Sequence, residues 1–222
     1  MHAASAKKLA PLARGALGLA LVFAPMVVAA MENPHTTPRA PPVPAVQRLL
    51  DHLAAKPPVP VRKELVWSGA DIDGDGAPDF ANPTGAAPRG HDAFGDGNFG
   101  ARRDGGSRDH EGVDYTARPG QNIKAPISGY VTKIGYAYAG YSDLRFVEIT
   151  NPALGYVARA FYVTPHVEVG QTVRLGQTIG QDQSLQKHYP GITDHVHLEV
   201  MQLGGERVNA AQLIVRKMVV EA

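Results

Sequence analysis

The stretch Asp194-His195-Val196-His197-Leu198-Glu199-Val200 alternates polar and apolar side chains. Successive side chains of a β-strand point to opposite faces, so this pattern describes a strand with one face in a core. Val196, Leu198 and Val200 then form the core face, and His195, His197 and Glu199 share the other. Upstream lies a second polar cluster, His110-Glu111-Gly112-Val113-Asp114. Together the two clusters offer the nitrogen and oxygen donors that Zn²⁺ takes when a fourth position is left for water. A single histidine on a strand is more often a surface or hydrogen-bonded residue than a ligand. It is the pairing of the clusters that makes a catalytic zinc site the leading expectation.

Outward from that strand, the chain reads as β-rich. Its 222 residues include 24 Gly and 18 Pro, which implies many turns and little long helix. Short strand-like runs at 123–125, 129–135, 144–150, 156–163, 167–173 and 177–180 are separated by turn signals every eight to twelve residues or so, as in an antiparallel sandwich or barrel-like sheet. Residues 209–216 fit a short capped helix. Residues 90–107, rich in Gly and charge, read as a long loop shaped around a cleft. The expected fold is mainly β: an antiparallel sheet core with a short N-terminal helix and long loops.

The N-terminus reads as a targeting segment. Lys7, Lys8 and Arg14 precede an apolar run, Gly15 to Ala30, which ends in the small residues of Val28-Ala29-Ala30. The run is short of the roughly 20 residues that a membrane helix needs. Residues 1–30 are therefore expected to be a cleaved signal peptide, with a retained anchor as the alternative, and no stable membrane span is expected after cleavage. The mature chain is expected to be exported, to the periplasm or the extracellular space. Losing three basic residues takes the formal charge from +1 to −2, which leaves no basic excess for a nucleic-acid partner. With no Cys there are no disulfides and no thiolate nucleophile. No Ser sits in a Gly-x-Ser-x-Gly elbow. Internal repeats, a phosphate-cradling glycine loop and a helical His-Glu-x-x-His are also absent.

Residues 31–90 are expected to hold a linker, a short helix and a candidate calcium loop. Val46, Leu49, Leu50 and Leu53 fall at i, i+3, i+4 and i+7, one apolar helix face that ends before Pro57 and Pro58; docking on the main domain is its simplest use. Further on, Asp71, Asp73, Asp75 and Asp79 stand at positions 1, 3, 5 and 9 of a loop with Gly76 at position 6, the front of a Ca²⁺ loop. Asn82 at position 12 replaces the bidentate Glu, and Asp and Gly also build turns without metal, so calcium and a plain acidic turn both stand.

Several motifs in order give a resemblance. Asn98-Phe99-Gly100-Ala101-Arg102, the His110-x-x-x-Asp114 pair, Ala125-Pro126-Ile127-Ser128-Gly129-Tyr130-Val131, Val169-Gly170-Gln171-Thr172-Val173, Gly176-Gln177-Thr178-Ile179-Gly180 and His195-x-His197 resemble the lysostaphin and LytM-like zinc metallopeptidases over about residues 94 to 201. That family cuts peptide cross-bridges or stem peptides in bacterial cell walls. The resemblance implies a LytM-type domain over 91–222, with His110, Asp114 and His197 as zinc ligands and His195 as a catalytic histidine. It also implies peptidoglycan peptides as partners, and zinc that polarises the scissile carbonyl and acidifies water. Glu199 is either a partner of His197 or an exposed strand carboxylate. The family places a second catalytic histidine two residues after a strand Tyr. Here Tyr162-Val163-Thr164-Pro165-His166 puts Thr164 there, so either His166 substitutes or this donor is missing. The same departure, with 184–197, resembles the leukocyte-derived chemotaxin branch, a secreted branch that keeps the zinc site and is regarded as lacking peptidase activity. A zinc-containing module that binds wall fragments or a protein partner is therefore the alternative to a zinc metalloendopeptidase.

Overall fold

The computed structural model describes residues 45–54 and 62–221. The signal segment 1–30 and the linker 31–44 lie outside the described residues. The chain divides into two units, Met1–Pro57 and Pro58–Ala222. In the first, helix α1 (Ala45–Ala54) forms where the apolar periodicity predicts it, with Gln47 donating to Asp51 one turn on, and Val46, Leu49, Leu50 and Leu53 are all exposed.

The second unit is mainly β. In chain order it comprises β1 (Arg62–Gly69), β2 (His91–Asp92), β3 (Gly95–Asp96), β4 (Arg102–Arg103), β5 (Arg108–Asp109), β6 (Val113–Thr116), β7 (Asn122–Lys124), β8 (Gly129–Tyr138), β9 (Tyr141–Asn151), β10 (Tyr156–Phe161), β11 (Val163–Pro165), β12 (Thr172–Val173), β13 (Thr178–Asp182), β14 (His195–Gln202), β15 (Arg207–Val208), helix α2 (Ala210–Leu213) and β16 (Ile214–Glu221). The principal sheet has seven strands in the order β12-β8-β9-β10-β14-β15, with β6 also paired to β14. Its strand pairings are antiparallel. A three-stranded sheet, β11-β13-β7, lies apart from that path.

The alternation of β14 does what its spacing predicts. Val196, Leu198 and Val200 are fully buried among Val113, Tyr115, Val147, Ile149, Ala158 and Ala160. The opposite face of β14 is therefore fixed by the core, because a slip of one residue would put the histidines where Leu198 belongs.

Three elements differ from the sequence reading. The helix expected over 209–216 stops at Leu213: Asn209 caps it through the Ala211 N–H, but the β-branched run from Ile214 extends as a strand. That strand pairs with β1 along all of its length, from Arg62↔Glu221 to Gly69↔Ile214. β1 thus stands between the expected short helix and the candidate calcium loop, where the sequence reading placed no strand. In place of one long strand over 167–173, only Thr172 and Val173 pair, against Tyr130 and Gly129.

Candidate metal centre and its cleft

Register brings the ligands together. On β14, His197 is paired with Asp114 of β6 on one side and with Phe161 of β10 on the other. His110 enters from the turn just before β6, where its backbone N–H donates to Ala101 O and its carbonyl accepts from Gly100 N. Gly112 permits the close approach: a Cβ there would lie 2.5 Å from Leu198 O and 2.7 Å from His197 Cε1.

Three donor atoms then face one another. Asp114 Oδ1 lies 3.1 Å from His110 Nε2 and 2.8 Å from His197 Nδ1, and those two nitrogens are 2.9 Å apart. His110 Nδ1 sits 2.8 Å from the Asn98 carbonyl, which can only accept, so Nδ1 carries a proton and Nε2 is the nitrogen turned toward the other two atoms. A cation is an occupant that His110 Nε2, Asp114 Oδ1 and His197 Nδ1 can all share. The donor set, two imidazole nitrogens and one carboxylate oxygen, suits Zn²⁺ with an open position.

Charges around the site follow from burial. Desolvation raises the Asp114 carboxyl, but its bonds to His110 and His197 outweigh this and hold it well below the usual carboxylate range. Asp114 Oδ2 is also bonded by Arg89 Nε at 3.0 Å, a buried ion pair that frees Oδ1 for the cluster. His197 is lowered by desolvation but carried up to about 9 by Asp114 and Glu199. His195 shifts the other way: burial lowers it, against the pull of Asp114 and the Thr193 carbonyl. Its Nδ1 lies 2.7 Å from Thr193 O, which places the proton there. The lone pair is then on Nε2, 3.5 Å from Asp114 Oδ1 and beside the three donors.

The site opens into a cavity of about 540 Å³. Its lining includes Arg103 and Arg108, the latter paired with Asp104, and the rings of Phe94, Tyr138, Tyr162 and Tyr189. Among the sequence candidates, the structure brings His110, Asp114, His197 and His195 to this cavity. It does not bring Thr164 or His166. Both are exposed, Thr164 paired with Gln181 of β13 and His166 bonded through its N–H to Ile179 O. The residue that stands opposite His195 is Tyr162, its ring centroid 5.4 Å from the imidazole and its hydroxyl 2.6 Å from that of Tyr138. Tyr162 has φ = 66°. A bulky residue in that left-handed region is a strained outlier, held by its surroundings. This break between β10 and β11 is what turns the Tyr162 ring into the cavity and the following residues away from it. An alternation count along the strand has no way to register such a break.

Away from the cleft, Asp71, Asp73 and Asp79 bring carboxylate oxygens within 4.8 Å of one another, and Asp75 is not part of that group. Backbone amides already bond these side chains: Gly74 and Gly76 donate to Asp71, Ile72 to Asp79, and Ala77 to Asp75. The loop is therefore a hydrogen-bonded acidic turn in which three of the four candidate carboxylates stand close enough to share a cation.

Residues 108–210 match the Peptidase family M23 profile. Leukocyte cell-derived chemotaxin-2 of Mus musculus is 31% identical over 108 residues, which make up 49% of this chain and 69% of that protein. The chain belongs to peptidase family M23. A second relative by sequence, Myeloid protein 1 of Gallus gallus, is 35% identical over 120 residues, 53% of this chain but only 36% of its own length. Among solved structures, lysostaphin from Staphylococcus simulans is 22% identical with a TM-score of 0.40, covering 46% of this chain and 42% of that one. A zinc-containing peptidase from Vibrio cholerae is 23% identical with a TM-score of 0.42, covering 60% and 39%. The chain thus spans well under two thirds of the length of several of its relatives. The M23 match begins two residues before His110 and includes Asp114, His195 and His197.

Proposed function

We propose that this M23 chain is an exported zinc metalloendopeptidase that hydrolyses peptide bonds of bacterial cell-wall peptidoglycan. The observation that carries the reading is the convergence of His110 Nε2, Asp114 Oδ1 and His197 Nδ1 on one point of an open cleft, with His195 beside them. Zinc bound by those three atoms supplies a Lewis acid that polarises a peptide carbonyl and lowers the pKa of water. His195 accepts the proton: its Nδ1–H is committed to Thr193, burial keeps the ring neutral near pH 7, and Nε2 is the free base. Tyr162 is the donor opposite. Burial, followed by Tyr138, raises its phenol well above the ordinary value, so the hydroxyl keeps its proton and can stabilise a developing oxyanion. Phe94, Tyr138 and Tyr189 line the same cleft.

One observation favours a second reading. A phenol bonded to its neighbour Tyr138 is a weaker electrostatic stabiliser than an imidazolium, and loss of one such donor typically costs about 10²–10³ in rate. On this reading the chain is a zinc-containing module without activity that binds wall fragments or a protein partner. Turbidity loss of purified cell walls decides between the two. Zinc-loaded wild type is expected to clear walls that the His195→Ala variant leaves intact. Equal inertness of both proteins on walls of several cross-link types would establish the binding module.

A further inference from the structure

On the same sheet face as the candidate metal ligands, a ladder of charges crosses four strands. Glu148 of β9 accepts from Arg159 Nε of β10 at 2.6 Å, Arg159 Nη1 lies 3.5 Å from Glu199 Oε2 of β14, and the same oxygen accepts from Arg207 Nη1 of β15. The other guanidinium nitrogen, Arg207 Nη2, donates to Glu111 Oε2 at 2.8 Å. Both ends of this bridge touch the metal ligands. Glu199 Oε1 lies 3.5 Å from His197 Nε2, and Glu111 follows His110 directly in the chain. β15 is short, but its register sets Arg207 against Met201, diagonal to Glu199, where a long side chain reaches across.

We infer that Arg207 is a positioning residue that clamps the two ligand-bearing segments, fixing Glu199 behind His197 with one arm and the His110 turn with the other. The inference rests on the proposed zinc site. Zinc takes His197 through Nδ1, so the remaining ring proton must be on Nε2 and needs an acceptor. Glu199 is buried, and a buried carboxylate stays ionised and in place only with cations against it. Arg207 and Arg159 occupy Oε2 and leave Oε1 to the imidazole. The rigid planar fork of an arginine serves two carboxylates at once, which the single ammonium of a lysine does not do with the same geometry.

The test is zinc affinity by chelator competition, together with the visible spectrum of the cobalt-loaded protein and the melting temperature of the metal-free protein. Arg207→Gln is expected to weaken zinc about 10–100-fold and to alter the cobalt spectrum. Arg207→Lys should recover part of that loss. Glu111→Gln, which cuts only the exposed arm, should weaken zinc about two- to fivefold at an unchanged metal-free melting temperature. Wild-type affinity and spectrum in Arg207→Gln would overturn the clamp while leaving the zinc site intact. If Arg207→Gln fails to fold, Glu111→Gln decides, and wild-type affinity there overturns the clamp. A wild-type protein that takes no zinc overturns the site and the clamp with it.

Discussion

His197 is the proposed ligand whose proton competes with zinc. Burial lowers its imidazole, but Asp114 and Glu199 carry it up to about 9, so below that pH the metal-free site is occupied by a proton on Nδ1. Zinc must displace it, and its apparent affinity should rise about tenfold per pH unit toward pH 9 and level off above. Titration calorimetry at several pH values checks this, and an affinity flat from pH 6 to 9 contradicts it. The His110→Ala variant should hold no zinc; wild-type zinc content in it would refute the ligand assignment. Asp182 gives an independent prediction. Both its carboxylate oxygens are buried without a hydrogen-bond partner, and burial, then the charge of Asp194, pushes it up to about 7. Its folded pKa is above its unfolded one, so it costs stability progressively as pH rises from about 4 to 7, and the cost persists above. Asp182→Asn should therefore gain about 2–4 kcal/mol at pH 8 and little at pH 4, as urea unfolding at the two pH values would report. Equal effects at both would contradict this. The candidate ligands were within reach of the sequence because alternation sets His195, His197 and Glu199 on one strand face and the motif resemblance then picks His110, Asp114 and His197. Tyr162 was not, since its role depends on a left-handed backbone that no motif signals.

At the scale of elements, the pairing of β14 with β6 is the part on which the site depends. Leu198 lies at full burial between the two ligands' strands, and Leu198→Ala should cost about 2–5 kcal/mol of stability in denaturant unfolding. A loss under 1 kcal/mol would mean that β14 is not seated as described. Gly112→Ala acts on the same contact from the other side. The added methyl meets Leu198 O and the His197 ring, so zinc affinity should fall more than overall stability does. β14 could be read from its alternation alone, and so could β8, β9 and β10 in outline. β1 and β16 escaped because each is a strand only through the other: neither has a buried face along most of its length, and their pairing joins residues far apart in sequence. The short pairs β2–β3 and β4–β5 were hidden for a related reason, as two-residue ladders leave no periodicity in a glycine-rich loop.

For the whole molecule, the sequence already set the class: a Gly- and Pro-rich chain with no cysteine, whose chemistry had to come from histidine and carboxylate. The structure supplies what composition cannot, namely one cleft lined by arginines, aromatic rings and the candidate metal ligands. Among the described residues no helix is long and apolar enough to cross a membrane. The most direct measurement is an anomalous-difference map at the zinc absorption edge from crystals of the zinc-loaded protein. One peak is expected, about 2.0–2.2 Å from His110 Nε2, Asp114 Oδ1 and His197 Nδ1, with His195 Nε2 near but unbound. A map with no peak among these atoms, or a metal held through His197 Nε2, would contradict the account.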